Sequence, residues 1–197
     1  MPDGNGSGVT AYDFPQIYER LGLKLGNFGC IMLDVEPIPV SEYLGVNDPS
    51  WYYYSKNPLL RYVKGPVAET IAHATLLYGL TPDDKAGIQQ KVSVDELLSG
   101  LDLSTVTVDY VDAFPAQFGE PYSCIVAKLQ ADGNDLEEAN RRLRFLPHID
   151  TFVKFKAHVT LAYVNVQDTE ETIGSLNDAL YGQTLKATGI NYGGPIV

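Results

Sequence analysis

Positive charge is what this sequence most lacks. Fourteen lysines and arginines stand against 25 aspartates and glutamates, a net charge of −11. A protein that grips long nucleic acid by its phosphates needs a cationic track, so no long RNA or DNA is expected as a partner. A small anion held in a local positive pocket is compatible with an acidic exterior. Cysteine is scarce: Cys30 and Cys124 are the only two. Each lies inside an apolar run, which suits reduced thiols and a cytoplasmic location better than a disulfide framework. No apolar run has the length needed to span a bilayer, so no membrane partner is expected. Residues 1–10 are glycine-rich and have neither a basic start nor an apolar stretch, so they read as a flexible tail and not a secretion signal. The three histidines, at positions 73, 148 and 158, show none of the close spacings of zinc ligands, and no calcium loop is present. No metal and no other cofactor is expected.

What is present is a globular composition, 45% hydrophobic and 11% aromatic, in 197 residues. That is long enough for one well-buried domain or two small lobes sharing a core. Two short strings nearly repeat: His73-Ala74-Thr75-Leu76-Leu77-Tyr78 and His158-Val159-Thr160-Leu161-Ala162-Tyr163. His, Thr, Leu and Tyr recur at the same offsets, and both strings are rich in strand formers. On a strand, His and Thr at i and i+2 share a face. The same parity sends Leu76, Tyr78, Leu161 and Tyr163 to the opposite, apolar face. Two such strands side by side make a groove carrying two imidazoles and two hydroxyls. A lone His-x-Thr means little, but the matched duplication points to acid–base chemistry on a phosphate.

The paired strings resemble those of the 2H phosphoesterase superfamily, which includes RNA-ligase-like proteins and cyclic phosphodiesterases. Their extended forms, His-Ala-Thr-Leu-Leu-Tyr-Gly-Leu and Lys-Ala-His-Val-Thr-Leu-Ala-Tyr, are similar to a phage group, the anti-CBASS nucleases that degrade cyclic oligonucleotide alarms. The likeness is tight over the two strings and loose over residues 25–195. It implies an α+β, bilobal fold: two pseudo-symmetric lobes whose antiparallel sheets line a central groove, with helices outside. If the chain is phage-encoded, it implies action in the host cytosol.

Read along the chain, residues 1–12 form the tail and 13–197 a single bilobal domain. Helices are predicted at 14–23, from Thr81 to about Leu98, at 135–146, and from Asp168 to about Tyr181, the last with Glu171 in a capping box. Strands are predicted at 27–35, 71–79, 106–113, 122–129, 152–164 and 185–192, those at 106–113 and 122–129 pairing antiparallel. Residues 37–70 form an irregular, proline-dotted aromatic loop. The internal duplication, 85 residues apart, predicts two similar lobes related by a pseudo-two-fold axis, with the ligand between them.

The candidate catalytic residues are His73, Thr75, His158 and Thr160. Imidazole, with an ordinary pKa near 6.5, suits both general base and general acid. The two threonine hydroxyls would donate to non-bridging phosphate oxygens. Which histidine is the base stays open. Strand parity puts Lys154, Lys156, His158 and Thr160 on one face, so Lys156 would face the phosphate; alternatively it lies in water at the strand end, and a bulge would overturn the parity. Trp51 and Tyr54, in the run Trp51-Tyr52-Tyr53-Tyr54, would stack bases or else pack the loop down. Tyr12 is assigned to the ligand by the resemblance alone. His148, after Pro147, reads as a structural residue, and Arg141, Arg142 and Arg144 as a solvated helix face.

The expected activity is a metal-independent phosphodiesterase on small cyclic oligonucleotides. The alternatives are a phosphodiesterase of 2′,3′-cyclic nucleotides or RNA ends, and a sponge that binds cyclic nucleotides without cutting them. The expected partner is a cyclic oligonucleotide or cyclic-phosphate nucleotide, and the expected state a monomer or weak homodimer.

Overall fold

Apolar and β-branched runs separated by turns give this chain a sheet with one buried face. The structure, a computed structural model, describes residues 29–44, 72–80, 94–114, 116, 122–130, 135–149 and 154–193. The strands are β1 (Gly29–Val35), β2 (His73–Leu80), β3 (Thr105–Phe114), β4 (Tyr122–Leu129), β5 (His158–Asn165) and β6 (Thr184–Gly193). The helices are α1 (Val40–Tyr43), α2 (Asp135–Leu143) and α3 (Thr169–Leu180). Residues 94–98 are also helical. The fold is α+β, and every strand pairing among the described residues is antiparallel.

The strand order β1-β2-β5-β4-β3-β6 closes on itself. It is symmetric about the β2–β5 seam: reading outward, β1 corresponds to β4 and β6 to β3. The two halves expected from the duplication are therefore β6-β1-β2 and β5-β4-β3. They meet at the two motif strands and join again where β3 pairs with β6.

Helix α2 packs on β2, and α3 on β3 and β4. Ile31, Leu33, Leu76, Ile125, Leu143 and Leu176 are almost fully buried between these layers. Each such side chain contributes about 1.5–3 kcal/mol of burial free energy. An asparagine helps fasten each helix. Asn140 Nδ2 donates to the Leu76 carbonyl at 2.6 Å, and Asn177 Oδ1 accepts from the Val111 amide at 2.9 Å.

Several expected boundaries move. The strand expected over 152–164 begins only at His158. Helix α2 stops at Leu143, and residues 144–146 turn ahead of Pro147. Asp168 precedes α3, but its side chain makes no cap hydrogen bond, so the expected capping box does not form. The 3-10 turn Val166–Asp168 leads into the helix instead, and the Thr172 hydroxyl donates to the Asp168 carbonyl at 2.7 Å. The turn α1 falls within the stretch expected to be irregular. The tail, the helix expected at 14–23 and the start of the one expected from Thr81 lie outside the described residues. Among the described residues no helix is long and apolar enough to cross a membrane.

Candidate active site at the β2–β5 seam

The two repeated strings are neighbours. Ala74 of β2 pairs with Val159 of β5. Extending that antiparallel register sets His73 opposite Thr160 and Thr75 opposite His158, each histidine facing the other string's hydroxyl. Ala74 and Val159 point into the core, while His73, Thr75, His158 and Thr160 are half-buried on the other face.

Each string then breaks its alternation at the same residue. Ile31 and Met32 of β1 pair with Leu77 and Thr75, so Leu76 is the extra residue of a bulge. Ile125 and Val126 of β4 pair with Ala162 and Thr160, so Leu161 is extra in β5. A bulge shifts the parity of everything after it. Leu76 and Leu161 are buried as expected, and so are Leu77 and Ala162. Tyr78 and Tyr163 therefore do not join the apolar layer, as strict alternation predicted. They return to the histidine face, Tyr78 39% exposed and Tyr163 half-buried. Tyr163 meets Tyr122 edge to face, with centroids 5.7 Å apart. A bulge disrupts the local ladder, and Asn140 supplies the hydrogen bond to the Leu76 carbonyl.

His158 is tightly held. Its Nδ1 donates to the Lys156 carbonyl at 2.7 Å. A carbonyl can only accept, so in the neutral ring Nδ1 carries the proton and Nε2 keeps its lone pair. Phe114 lies edge-on to the ring, with centroids 4.9 Å apart. Burial pulls the His158 pKa below the ordinary imidazole value; the hydrogen bond to Lys156 opposes this, and the charges of Lys128 and His73 add to the lowering. The two histidines are thus near enough to act on each other electrostatically.

Lys128 on β4 is the cross-strand partner of His158. Only 8% exposed, it sets its ammonium 4.0 Å from the centre of the Phe114 ring. Burial lowers its pKa, Asp112 opposes the shift, and Lys156 adds to it. At the corresponding position of β1, Asp34 is the partner of His73. Asn191 Nδ2 donates to Asp34 Oδ2 at 3.1 Å, and Oδ1 is buried with no hydrogen-bond partner among the described residues.

Asp34, Phe114 and Lys128 are not among the expected site residues, yet a signal exists. Cys30-Ile31 and Cys124-Ile125 open a second repeated string, and four residues after each cysteine comes the only charge of its strand, Asp34 or Lys128. Both cysteines are thiols, as expected.

Other expectations fare variously. Lys156 lies outside β5, so the parity argument for it lapses. Its side chain is exposed, and its carbonyl is what holds His158. His148 is structural: Nδ1 lies 2.8 Å from the Leu146 carbonyl, and the residue bridges to Leu80. Arg141 and Arg142 both hold Glu138, whose pKa their hydrogen bonds pull down to about 2. Arg142 also donates to the carbonyls of Leu97 and Ser99, at 3.1 and 3.0 Å. Tyr12, Trp51 and Tyr54 lie outside the described residues.

No family model and no curated protein matches the chain. Among solved structures it is similar to Kluyveromyces marxianus Usb1, at 7% identity and a TM-score of 0.49, over 85% of this chain and 94% of that one. It is also similar to the same protein with uridine monophosphate, at 10% identity and a TM-score of 0.47, over 85% of this chain and 98% of that one.

Proposed function

We propose that this chain is a metal-independent phosphodiesterase that opens small cyclic oligonucleotides by two-histidine acid–base catalysis. The observation that carries the proposal is the Ala74–Val159 pairing, which brings both His-x-Thr strings together on one half-buried face. One imidazole takes the proton of the attacking hydroxyl while the other protonates the leaving oxygen, each contributing a factor of roughly 10²–10⁴. Thr75 and Thr160 donate to the non-bridging oxygens, where the transition state holds its charge. On a 3′–5′ linkage the adjacent 2′-hydroxyl is the nucleophile, and the ring opens to a linear product ending in a 2′,3′-cyclic phosphate. The net charge of −11 favours a small ligand over a polymer. Trp51 and Tyr54 are the residues we assign to base stacking, Tyr12 to folding over the ligand, and Lys156 to lowering the negative charge of the phosphate.

The test is to incubate the protein in EDTA with cyclic di- and trinucleotides and with 2′,3′-cyclic mononucleotides, then identify the products. Linear products from the cyclic oligonucleotides support the reading. Opening of the mononucleotides alone moves the assignment to a cyclic-nucleotide phosphodiesterase. Ligand recovered intact after denaturing the protein makes it a sponge. Loss of all activity in EDTA, restored by zinc or magnesium, refutes the metal-independent mechanism.

A further inference from the structure

The pseudo-two-fold that relates the halves is broken by charge at the site. Lys128 and Asp34 hold equivalent cross-strand positions, so one histidine has an ammonium beside it and the other a carboxylate. We propose that Lys128 is a positioning residue that keeps His158 neutral and makes it the proton acceptor, leaving His73 as the proton donor. The inference rests on the phosphodiesterase reading above and assigns the roles within it.

Three observations bear on this. The Lys156 carbonyl accepts a hydrogen bond from Nδ1–H of His158, which fixes the tautomer whose Nε2 lone pair can receive a proton. Lys128 is buried against Phe114, the same ring that packs edge-on against His158. Its charge is therefore poorly screened from the imidazole, and a like charge in a low-dielectric setting disfavours the protonated ring. The groups acting on this cluster are Asp112 from β3, Cys124 from β4, Lys156 from the segment before β5 and His73 from β2. Asp112 and Cys124 both favour the charged form of Lys128, while Lys156 and His73 add positive charge. On the opposite flank Asp34, the cross-strand partner of His73 and held by Asn191, sets a carboxylate beside that histidine. In the step itself the 2′-hydroxyl proton goes to His158 Nε2 as the O2′–P bond forms. The P–O5′ bond breaks, and His73 delivers its proton to O5′.

Two experiments test the assignment. In the first, the His158 ring protons are followed by NMR against pH, assigned by comparison with His158→Gln. Lys128→Met should move the titration to higher pH, and Lys128→Arg should leave it in place. A titration unmoved by Lys128→Met overturns the role given to Lys128, as does a fall in melting temperature or a raised KM that is its only effect.

The second experiment compares two probes, uridylyl-3′,5′-adenosine and uridine 3′-(4-nitrophenyl phosphate). Nitrophenolate leaves without a proton, so the second probe needs no acid. His73→Gln should lose about 10²–10⁴-fold on the dinucleotide but less than about tenfold on the nitrophenyl ester, whereas His158→Gln loses both. Rescue of His158→Gln in place of His73→Gln overturns the assignment. If the wild-type protein turns over neither probe and no cyclic substrate, the phosphodiesterase reading falls and takes this inference with it. A reversed rescue leaves that reading intact.

Discussion

Replacing Gly79 by alanine tests the packing that ties the first motif strand to the chain leading into the second. Gly79 has φ +94, a conformation an L side chain rarely adopts. Its carbonyl accepts the Ile149 amide at 2.8 Å, and a Cβ built on it would fall onto the Ile149 carbonyl oxygen. Two costs therefore add. The left-handed backbone costs about 1–2 kcal/mol, less about 0.4–1 kcal/mol recovered by stiffening the unfolded chain. Pushing Ile149 away breaks a hydrogen bond worth about 0.5–1.5 kcal/mol and forces the backbone to shift. The expected loss is about 2–3 kcal/mol once that displacement is included. For a chain of this size each kcal/mol lowers the melting temperature by about 2–4 °C.

Gly182 supplies the control, with φ +72 and nothing within 4 Å of an added Cβ. Gly182→Ala should cost only the backbone term, about 1 kcal/mol or less. Urea denaturation of the two variants beside wild type reads the difference as a shift in midpoint at constant slope. If Gly79→Ala proves no more destabilising than Gly182→Ala, the close approach of residues 148–149 to β2 is wrong.

Three further outcomes are expected. His73→Ala and His158→Ala should each lower kcat by about 10²–10⁴-fold while retaining ligand binding by calorimetry; near-normal turnover in either removes it from catalysis. Asn140→Ala strands the Leu76 carbonyl at the bulge and should cost about 1–3 kcal/mol in urea denaturation. A loss under about 0.5 kcal/mol would mean that water replaces the amide there. Burial lowers the folded-state pKa of His158, so below the ordinary imidazole value of about 6.5 the unfolded chain binds the proton first. Stability should then fall as pH drops from 7.5 to 5, and His158→Gln should flatten that part of a melting-temperature profile; an unchanged profile contradicts the burial.

The sequence alone determined most of the strand pattern and the four-residue core of the candidate site. Apolar runs mark the strands over 106–113 and 122–129 to within a residue or two, because a half-buried pleat demands that composition. The duplicated strings mark His73, Thr75, His158 and Thr160 as one set, because two chain segments with the same chemistry at the same offsets imply the same local structure twice. Only the tertiary structure decided which residues complete the face. Parity arguments assume an unbroken strand, and the bulges at Leu76 and Leu161 overturn them beyond that point, returning Tyr78 and Tyr163 to the histidines. Lys156 escapes for a similar reason, since β5 starts only at His158. Asp34 and Lys128 become neighbours of the histidines through register between strands far apart in sequence. Register is set by packing across the whole sheet, which no local pattern of residues encodes.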